Sequence, residues 1–205
     1  MVEIMSEFLE VVPNIFRLEV PFFTVYTSVF LIDTSEGYIL VDCATTDEDV
    51  DGYIIPALGK LGIELSCVKK IVITHDHSDH AGGLAQILKR MPHIEVVNDS
   101  VKLTDGVCTY PLAGHTRDFI GVIDERTCTL ISGDGLQGAG IKQYRTMLDD
   151  KRGYIETLEK IKSDKRIENL LFSHAYEPWY KDFIFGREAV LECIEECKKY
   201  IGEIK

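Results

Sequence analysis

The spacing of hydrophobic positions changes along the chain. Over the first forty residues Val, Ile, Phe and Tyr gather in short runs, Phe8–Val12, Ile15–Val20, Val25–Asp33 and Tyr38–Asp42, broken by Pro13-Asn14, Pro21 and Ser35-Glu36-Gly37. Short β-branched and aromatic runs bounded by turn formers predict strands. The period then lengthens. Val50, Ile54, Ala57 and Leu61 fall on one stripe, which predicts a helix over Glu48–Leu61, with Asp47 as its N-cap and Gly62 as its stop.

The alternation continues to the end of the chain. Ile71-Val72-Ile73-Thr74 is a short apolar run that predicts a buried strand. A helix over Ala81–Arg90 would turn Leu84, Ile87 and Leu88 inward and end before Pro92. Ile94–Val97 predicts another strand, and Phe119–Asp124 and Thr127–Ser132 a hairpin about Glu125-Arg126. Gly153–Lys162 is helical in pattern, with Tyr154, Ile155, Leu158 and Ile161 on its apolar face. Asn169–Phe172 predicts a strand, and Arg187–Ile201 a final helix with Val190, Ile194, Cys197 and Ile201 in line. The elements fall into two halves, each opening with antiparallel-patterned strands. No linker or solenoid period interrupts them. One α/β domain over residues 1–205, with two sheets covered by outer helices, is the expected architecture.

Charge narrows the partners. The net charge is −12, and basic residues occur in pairs such as Lys69-Lys70 and Lys198-Lys199 rather than in tracts. Such a chain repels phosphate backbones and anionic lipid, so neither nucleic acid nor membrane is expected as a partner. No stretch is long and apolar enough to span a bilayer. The first residues carry Glu3, Glu7 and Glu10 and no basic region, unlike a secretory leader. The six cysteines, Cys43, Cys67, Cys108, Cys128, Cys193 and Cys197, form no CxxC pair. They are expected to be reduced, mostly buried thiols in a cytoplasmic protein.

The chemistry is concentrated in Thr74-His75-Asp76-His77-Ser78-Asp79-His80-Ala81-Gly82-Gly83, between a strand and a helix. Residues two apart in extended backbone point the same way, so His75 and His77 can converge on one ion. Asp79 and His80 would project from the first turn of the following helix toward a neighbouring point. Gly82 and Gly83 would remove side chains where that helix approaches its neighbour closely. At this chain's His and Asp frequencies, His-x-His-x-Asp-His arises by accident on the order of four times in ten thousand such sequences, which makes it a strong motif. The other chemistry-bearing residues sit at strand ends: His115 in Ala-Gly-His-Thr, Asp134 in Ser-Gly-Asp-Gly and His174 in Ser-His-Ala. Together with the motif they are candidate ligands. His93, beside Pro92, is left as a surface residue.

In these segments, taken in order along nearly the whole chain, the sequence resembles the metallo-β-lactamase superfamily. The resemblance implies a four-layer αββα sandwich of two mixed sheets, with a metal site at one sheet edge. Residue by residue, it implies that His75, His77 and His115 hold one metal ion and that Asp79, His80 and His174 hold a second. Asp134 would bridge both, together with a hydroxide. Asp105 and Gly106 fall where family members turn before the strand leading to the third histidine. The chain departs from the family at Ala113, commonly Pro, and at Arg117-Asp118-Phe119, often Pro-Gly-Ser; these alter a loop and leave the ligands in place. Antibiotic-degrading members usually carry Cys where Asp134 stands, so β-lactam cleavage is not the expected main activity. The added helical domain of the glutathione-thioesterase branch is not expected in a chain that ends 31 residues after His174.

The implied activity is hydrolysis, with a metal-bridging hydroxide attacking an ester, thioester or lactone carbonyl, or a phosphodiester, of a small-molecule substrate. Nitrogen and oxygen donors suit two divalent ions, zinc foremost, with iron and manganese also accommodated. Asp79 and Asp134 would be both ligands and catalytic groups, and Tyr144 is a candidate donor to a developing oxyanion. Asp42, at a strand end, would orient a ligand histidine or simply cap the strand. The Pro21-Phe22-Phe23 tip, Leu136–Leu148 and the aromatic-rich loop Ala175–Phe185, with Tyr176, Trp179, Tyr180 and Phe183, would shape an apolar pocket. The competing expectation is an iron-dependent oxidoreductase of the same fold, similar to sulfur dioxygenases; a metal-binding module without turnover is a third.

Overall fold

Four antiparallel strands open the chain, joined by turns that the sequence marks with Pro-Asn, an aromatic tip and Glu-Gly. They are β1 (Leu9–Val12), β2 (Ile15–Phe22), β3 (Val25–Thr34) and β4 (Gly37–Val41). Phe22 pairs with Val25, so Phe23 and Thr24 form a two-residue hairpin loop, with Phe23 at φ +50°. The computed structural model describes residues 7–136, 148–176 and 181–201. The chain divides into two compact units, Met1–Asn98 and Asp99–Lys205.

In the first unit β5 (Val68–Val72) and β6 (Glu95–Val97) extend the sheet in parallel, giving the order β1-β2-β3-β4-β5-β6. Residues Thr27 through Ile32 of β3 are buried without alternation, because both faces of this central strand are covered. Leu18, Val20, Val29, Leu31, Leu40 and Ile71 pack with Val50, Ile54, Ala57, Leu58 and Ile87 as one core cluster.

The helix expected over Glu48–Leu61 is present but not uniform. It begins as α1 (Asp47–Asp49), widens into a π-helical segment (Val50–Ile54), and resumes as α2 (Ile55–Lys60). Pro56 explains the widening. It has no N–H to offer the Gly52 carbonyl, and its ring would crowd that carbonyl in an α-helix. The Ile55 N–H bonds instead to the Val50 carbonyl, five residues back. The N-cap is Thr46 rather than Asp47. Thr46 Oγ1 accepts from the Asp49 N–H, and the Asp49 carboxylate accepts from the Thr46 N–H, a reciprocal capping box. Gly62, at φ +73°, stands just past the end as expected.

The expected Ala81–Arg90 helix is split into α3 (Ser78–Ala81) and α4 (Leu84–Arg90). Gly82 and Gly83 lie against the backbone of residues 43–45. A β-carbon on Gly82 would stand 1.9 Å from the Thr45 carbonyl oxygen, and one on Gly83 2.2 Å from that of Cys43. Close approach therefore requires both glycines, and the Cys43 N–H donates to the His80 carbonyl across this contact at 2.7 Å.

The second unit repeats the plan. β7 (Lys102–Thr104), β8 (Val107–Pro111), β9 (Ile120–Asp124) and β10 (Thr129–Gly133) run antiparallel. α5 (Lys151–Ser163) leads to β11 (Asn169–Tyr176), parallel to β10. β12 (Lys181–Phe185) pairs antiparallel with β11, and α6 (Arg187–Ile201) closes the unit. Asp105 and Gly106 form the expected turn, since Thr104 pairs with Val107. β12 corrects the expectation of a loop over Ala175–Phe185: Asp182 and Ile184 alternate inward, and a buried aspartate hides the strand pattern.

Tyr154, Leu158 and Ile161 of α5 pack with Val190, Cys193, Ile194 and Cys197 of α6 and with Leu130, Leu170 and Phe172 of the sheet. Arg187 ties the two helices together. Its guanidinium donates to the carbonyls of Ile161, Lys162 and Ile167 at 3.3, 2.6 and 2.8 Å, satisfying the C-terminal end of α5. All six cysteines are free thiols. Among the described residues no helix is long and apolar enough to cross a membrane.

Candidate metal centre

The sheet of the first unit delivers its chemistry where β4 and β5 leave it side by side. Beyond β5, Ile73 still pairs with Val97, so Thr74 and His75 continue the extended backbone. His75 is buried, while His77, the N-cap of α3, is exposed. His75 Nε2 and His77 Nδ1 face each other at 2.9 Å. At that separation one ring nitrogen donates its N–H to the lone pair of the other. From α3, buried Asp79 and His80 place Oδ2 and Nε2 3.3 Å apart. The His75 and His80 rings lie 4.2 Å apart. Asp76 is exposed.

Behind these side chains lies Asp42. Its carboxylate is 1% exposed and accepts from the Thr74 N–H at 2.9 Å, from the Thr74 hydroxyl at 2.9–3.0 Å, and from His80 Nδ1 at 2.7 Å. A carboxylate only accepts, so the proton of neutral His80 sits on Nδ1 and Nε2 presents its lone pair. The Thr74 hydroxyl, having donated to Asp42, accepts from His75 Nδ1 at 3.1 Å. That arrangement leaves His75 Nε2 as the basic nitrogen. One buried carboxylate thus sets the tautomers of both histidines. Asp42 reaches this position at φ +65°, a left-handed conformation that Asp tolerates better than most residues. Burial, and then the neighbouring Asp42 charge, push the Cys43 thiol well above its usual pKa, so Cys43 is an inert core residue.

The second unit supplies the other three candidates. His115, Asp134 and His174 are 3%, 5% and 8% exposed, too buried for side chains of this polarity unless they are paired or hold a cation. Asp134 follows β10 in a turn in which Gly133 has φ +52° and the Gly135 N–H donates to the Ser132 carbonyl. Its two oxygens face different histidines. Oδ2 lies 3.7 Å from His115 Nε2, and Oδ1 lies 3.5 Å from His174 Nε2. His174 lies within β11 rather than just after a strand, because β11 extends to Tyr176.

These spacings suit metal donors. Nitrogens or oxygens bound tetrahedrally to one zinc ion at 2.0–2.1 Å stand about 3.3 Å apart. The Asp79–His80 separation matches that figure, and both Asp134–histidine separations are too long for hydrogen bonds. Among the described residues, the seven expected ligands are the ones that fall into His and Asp groups able to hold a metal ion. Tyr144, Trp179 and Tyr180 lie outside the described residues, as does most of Leu136–Leu148. Thr74 and Thr27, which touch the candidate ligands, were not legible as functional: a threonine in a strand run reads as β-propensity and nothing more.

The family model of the metallo-β-lactamase superfamily matches residues 23–104. The Caenorhabditis elegans β-lactamase-like protein 2 homolog is 30% identical over 164 residues, covering 69% of this chain and 54% of the relative. A hydroxyacylglutathione hydrolase of Vibrio cholerae is 32% identical over 116 residues, 48% of this chain and 44% of the relative. An atrochrysone carboxyl ACP thioesterase of Claviceps purpurea is 25% identical over 130 residues, 56% of this chain and 41% of the relative. The chain spans about half the length of the curated relatives it matches. Among solved structures, the metallo-β-lactamase FIM-1 of Pseudomonas aeruginosa in its mono-zinc form superposes with a TM-score of 0.72 over 95% of both chains. Its identity of 17% speaks for the fold alone.

Proposed function

The chain belongs to the metallo-β-lactamase superfamily, and from that premise we propose that it is a dinuclear metal-dependent hydrolase of small ester, thioester or lactone substrates. His75, His77 and His115 would hold one ion and Asp79, His80 and His174 the other, with Asp134 shared. The observation that carries the reading is the division of Asp134, one oxygen toward His115 and the other toward His174. A pair of divalent ions supplies Lewis acidity and an activated water at neutral pH.

The protein's own groups prepare that site. Asp42 and Thr74 hold His75 and His80 by their Nδ1 atoms, which turns Nε2 of each ring toward the proposed donor set. Asp79 and Asp134 are the only carboxylates in the proposed donor set, so two divalent ions would keep a net positive charge toward a carbonyl oxygen. The names of the Vibrio and Claviceps relatives support acyl chemistry, the second being a thioesterase by name. The net charge of −12 disfavours polyanionic substrates. Zinc as the resident ion is supported by the all nitrogen and oxygen donor set, which also admits iron and manganese. Six free thiols favour a reducing, cytoplasmic setting.

The test is to strip the protein with chelator, reload it with zinc, manganese or iron, and assay aryl esters, thioesters and lactones with and without air. Turnover with zinc or manganese that ignores oxygen, at a metal content approaching two ions per chain, is the expected result. Activity confined to the iron form, with oxygen uptake matching product, would overturn the hydrolase in favour of an oxygenase.

A further inference from the structure

Thr27 lies on β3, 1% exposed, and its hydroxyl donates to Asp79 Oδ2 at 3.1 Å across 52 residues of sequence. The direction is unambiguous, since an ionised carboxylate has no proton to give. The same Oδ2 stands 3.3 Å from His80 Nε2, whose lone pair is bared by the Asp42 contact on the opposite ring nitrogen. Oδ2 is therefore the Asp79 oxygen that both stands at donor spacing from His80 and accepts from Thr27.

We propose that Thr27 is a positioning residue for the second metal ion, its hydroxyl holding Asp79 Oδ2 in register with His80 Nε2. The inference rests on the dinuclear reading above. The physical need is specific. Asp79 sits on a helix of four residues, Ser78–Ala81, and the terminal torsion of an aspartate is a broad well that by itself does not fix which way the oxygens point. Asp42 immobilises the His80 ring, but nothing in that contact reaches Asp79. A donor on the rigid central strand β3 supplies such a constraint, and β3 is buried on both faces through this stretch. Thr27 is thus to Asp79 what Asp42 is to His80, a fixed partner on the sheet for a ligand carried by a short helix.

The experiment measures zinc binding by competition with a chelating dye in the wild type, T27V, T27S and T27A. The expected result is that T27V and T27A bind the first ion as the wild type does and the second about tenfold or more weakly, the usual scale for a lost partner of a metal ligand. T27S, which keeps the hydroxyl, should bind both ions with wild-type affinity. The T27S and T27A pair differs only in that hydroxyl, so it carries the comparison if T27V fails to fold. Wild-type affinity for both ions in T27V or T27A would overturn the role of Thr27 and leave the dinuclear reading standing. Equal weakening in T27S and T27A would do the same, since the hydroxyl would not be the operative group. A wild-type protein that takes up a single ion would overturn both.

Discussion

Replacing Asp42 with Asn tests whether the buried carboxylate acts by setting the tautomer of His80. The substitution conserves volume, and Asn tolerates the left-handed backbone at φ +65° as well as Asp does. The amide oxygen can still accept from the Thr74 N–H and hydroxyl, as Oδ1 does now at 2.9 and 3.0 Å. The amide nitrogen would then face His80 Nδ1, now 2.7 Å from Oδ2, and it can only donate. His80 would answer by moving its proton to Nε2, the nitrogen proposed to bind metal. Restoring the competent tautomer means giving up a hydrogen bond and leaving two donors face to face. If that costs what a hydrogen bond to a charged group is worth, about 1.5–3 kcal/mol, metal affinity falls roughly 10- to 150-fold. Stability of the metal-free protein should change far less. Urea unfolding of the apo form and zinc titration by dye competition measure the two quantities separately. A D42N protein that binds both ions as the wild type does would refute the tautomer argument, and one that cannot fold would make Asp42 a structural residue first.

Asp134→Ala should reduce turnover by orders of magnitude and lower zinc content toward one ion per chain; near-normal activity would remove Asp134 from the ligand set. Gly83→Ala would drive a β-carbon to 2.2 Å from the Cys43 carbonyl oxygen and should cost about 1–3 kcal/mol in denaturant unfolding, since the obstacle is backbone and cannot rotate away. Asp164 is held down to a pKa of about 2, chiefly by its side-chain hydrogen bond with Arg166. A depressed carboxylate contributes stability that is present above its unfolded value of 3.8 and lost as pH falls toward 2. Thermal melts should therefore show a small gap between wild type and D164N at neutral pH that closes between roughly pH 4 and pH 2, and a gap independent of pH would contradict this origin.

The strands and helices that repeat a clean period were legible in the sequence. Arg187–Ile201 is helical over the anticipated residues, and the opening meander follows the Pro13-Asn14 and Ser35-Glu36-Gly37 breaks closely, whereas β2 runs through the expected break at Pro21 and pairs as far as Phe22. The misses have local causes. β7 is three residues long, and β12 buries Asp182 at an inward position, so neither offers the alternation that marks a strand. The π-helical segment depends on what Pro56 removes from the hydrogen-bond ladder, which a hydrophobic stripe does not register. At the candidate site, the histidines and aspartates stood out because their spacing is rare by chance. Thr27 and Thr74 did not, because their partners lie 52 and 32 residues away and only the folded sheet brings them together.

The two units explain why the donors fall where they do. Each has four antiparallel strands, a helix, and a fifth strand parallel to the fourth. At that parallel junction two neighbouring strands run toward the same edge, leaving their last backbone groups free to diverge. In the first unit Asp42 follows the fourth strand, and His75 lies beyond the fifth. In the second unit Asp134 follows the fourth strand, and His174 lies on the fifth. An acid past the fourth strand and a histidine on or past the fifth is thus a repeated placement, put to different use. Asp42 turns inward and spends its oxygens on Thr74 and His80 within its own unit. Asp134 stands at distances too long for hydrogen bonds from both its histidines. Exchange of chemistry between the two positions should therefore fail in opposite ways. Asn at 42 should disturb histidine tautomers while keeping the ligand count, whereas Asn at 134 should keep the tautomers and remove the shared anionic ligand. Zinc stoichiometry distinguishes them: D42N should still saturate at two ions when the metal concentration is raised, and D134N should saturate at one.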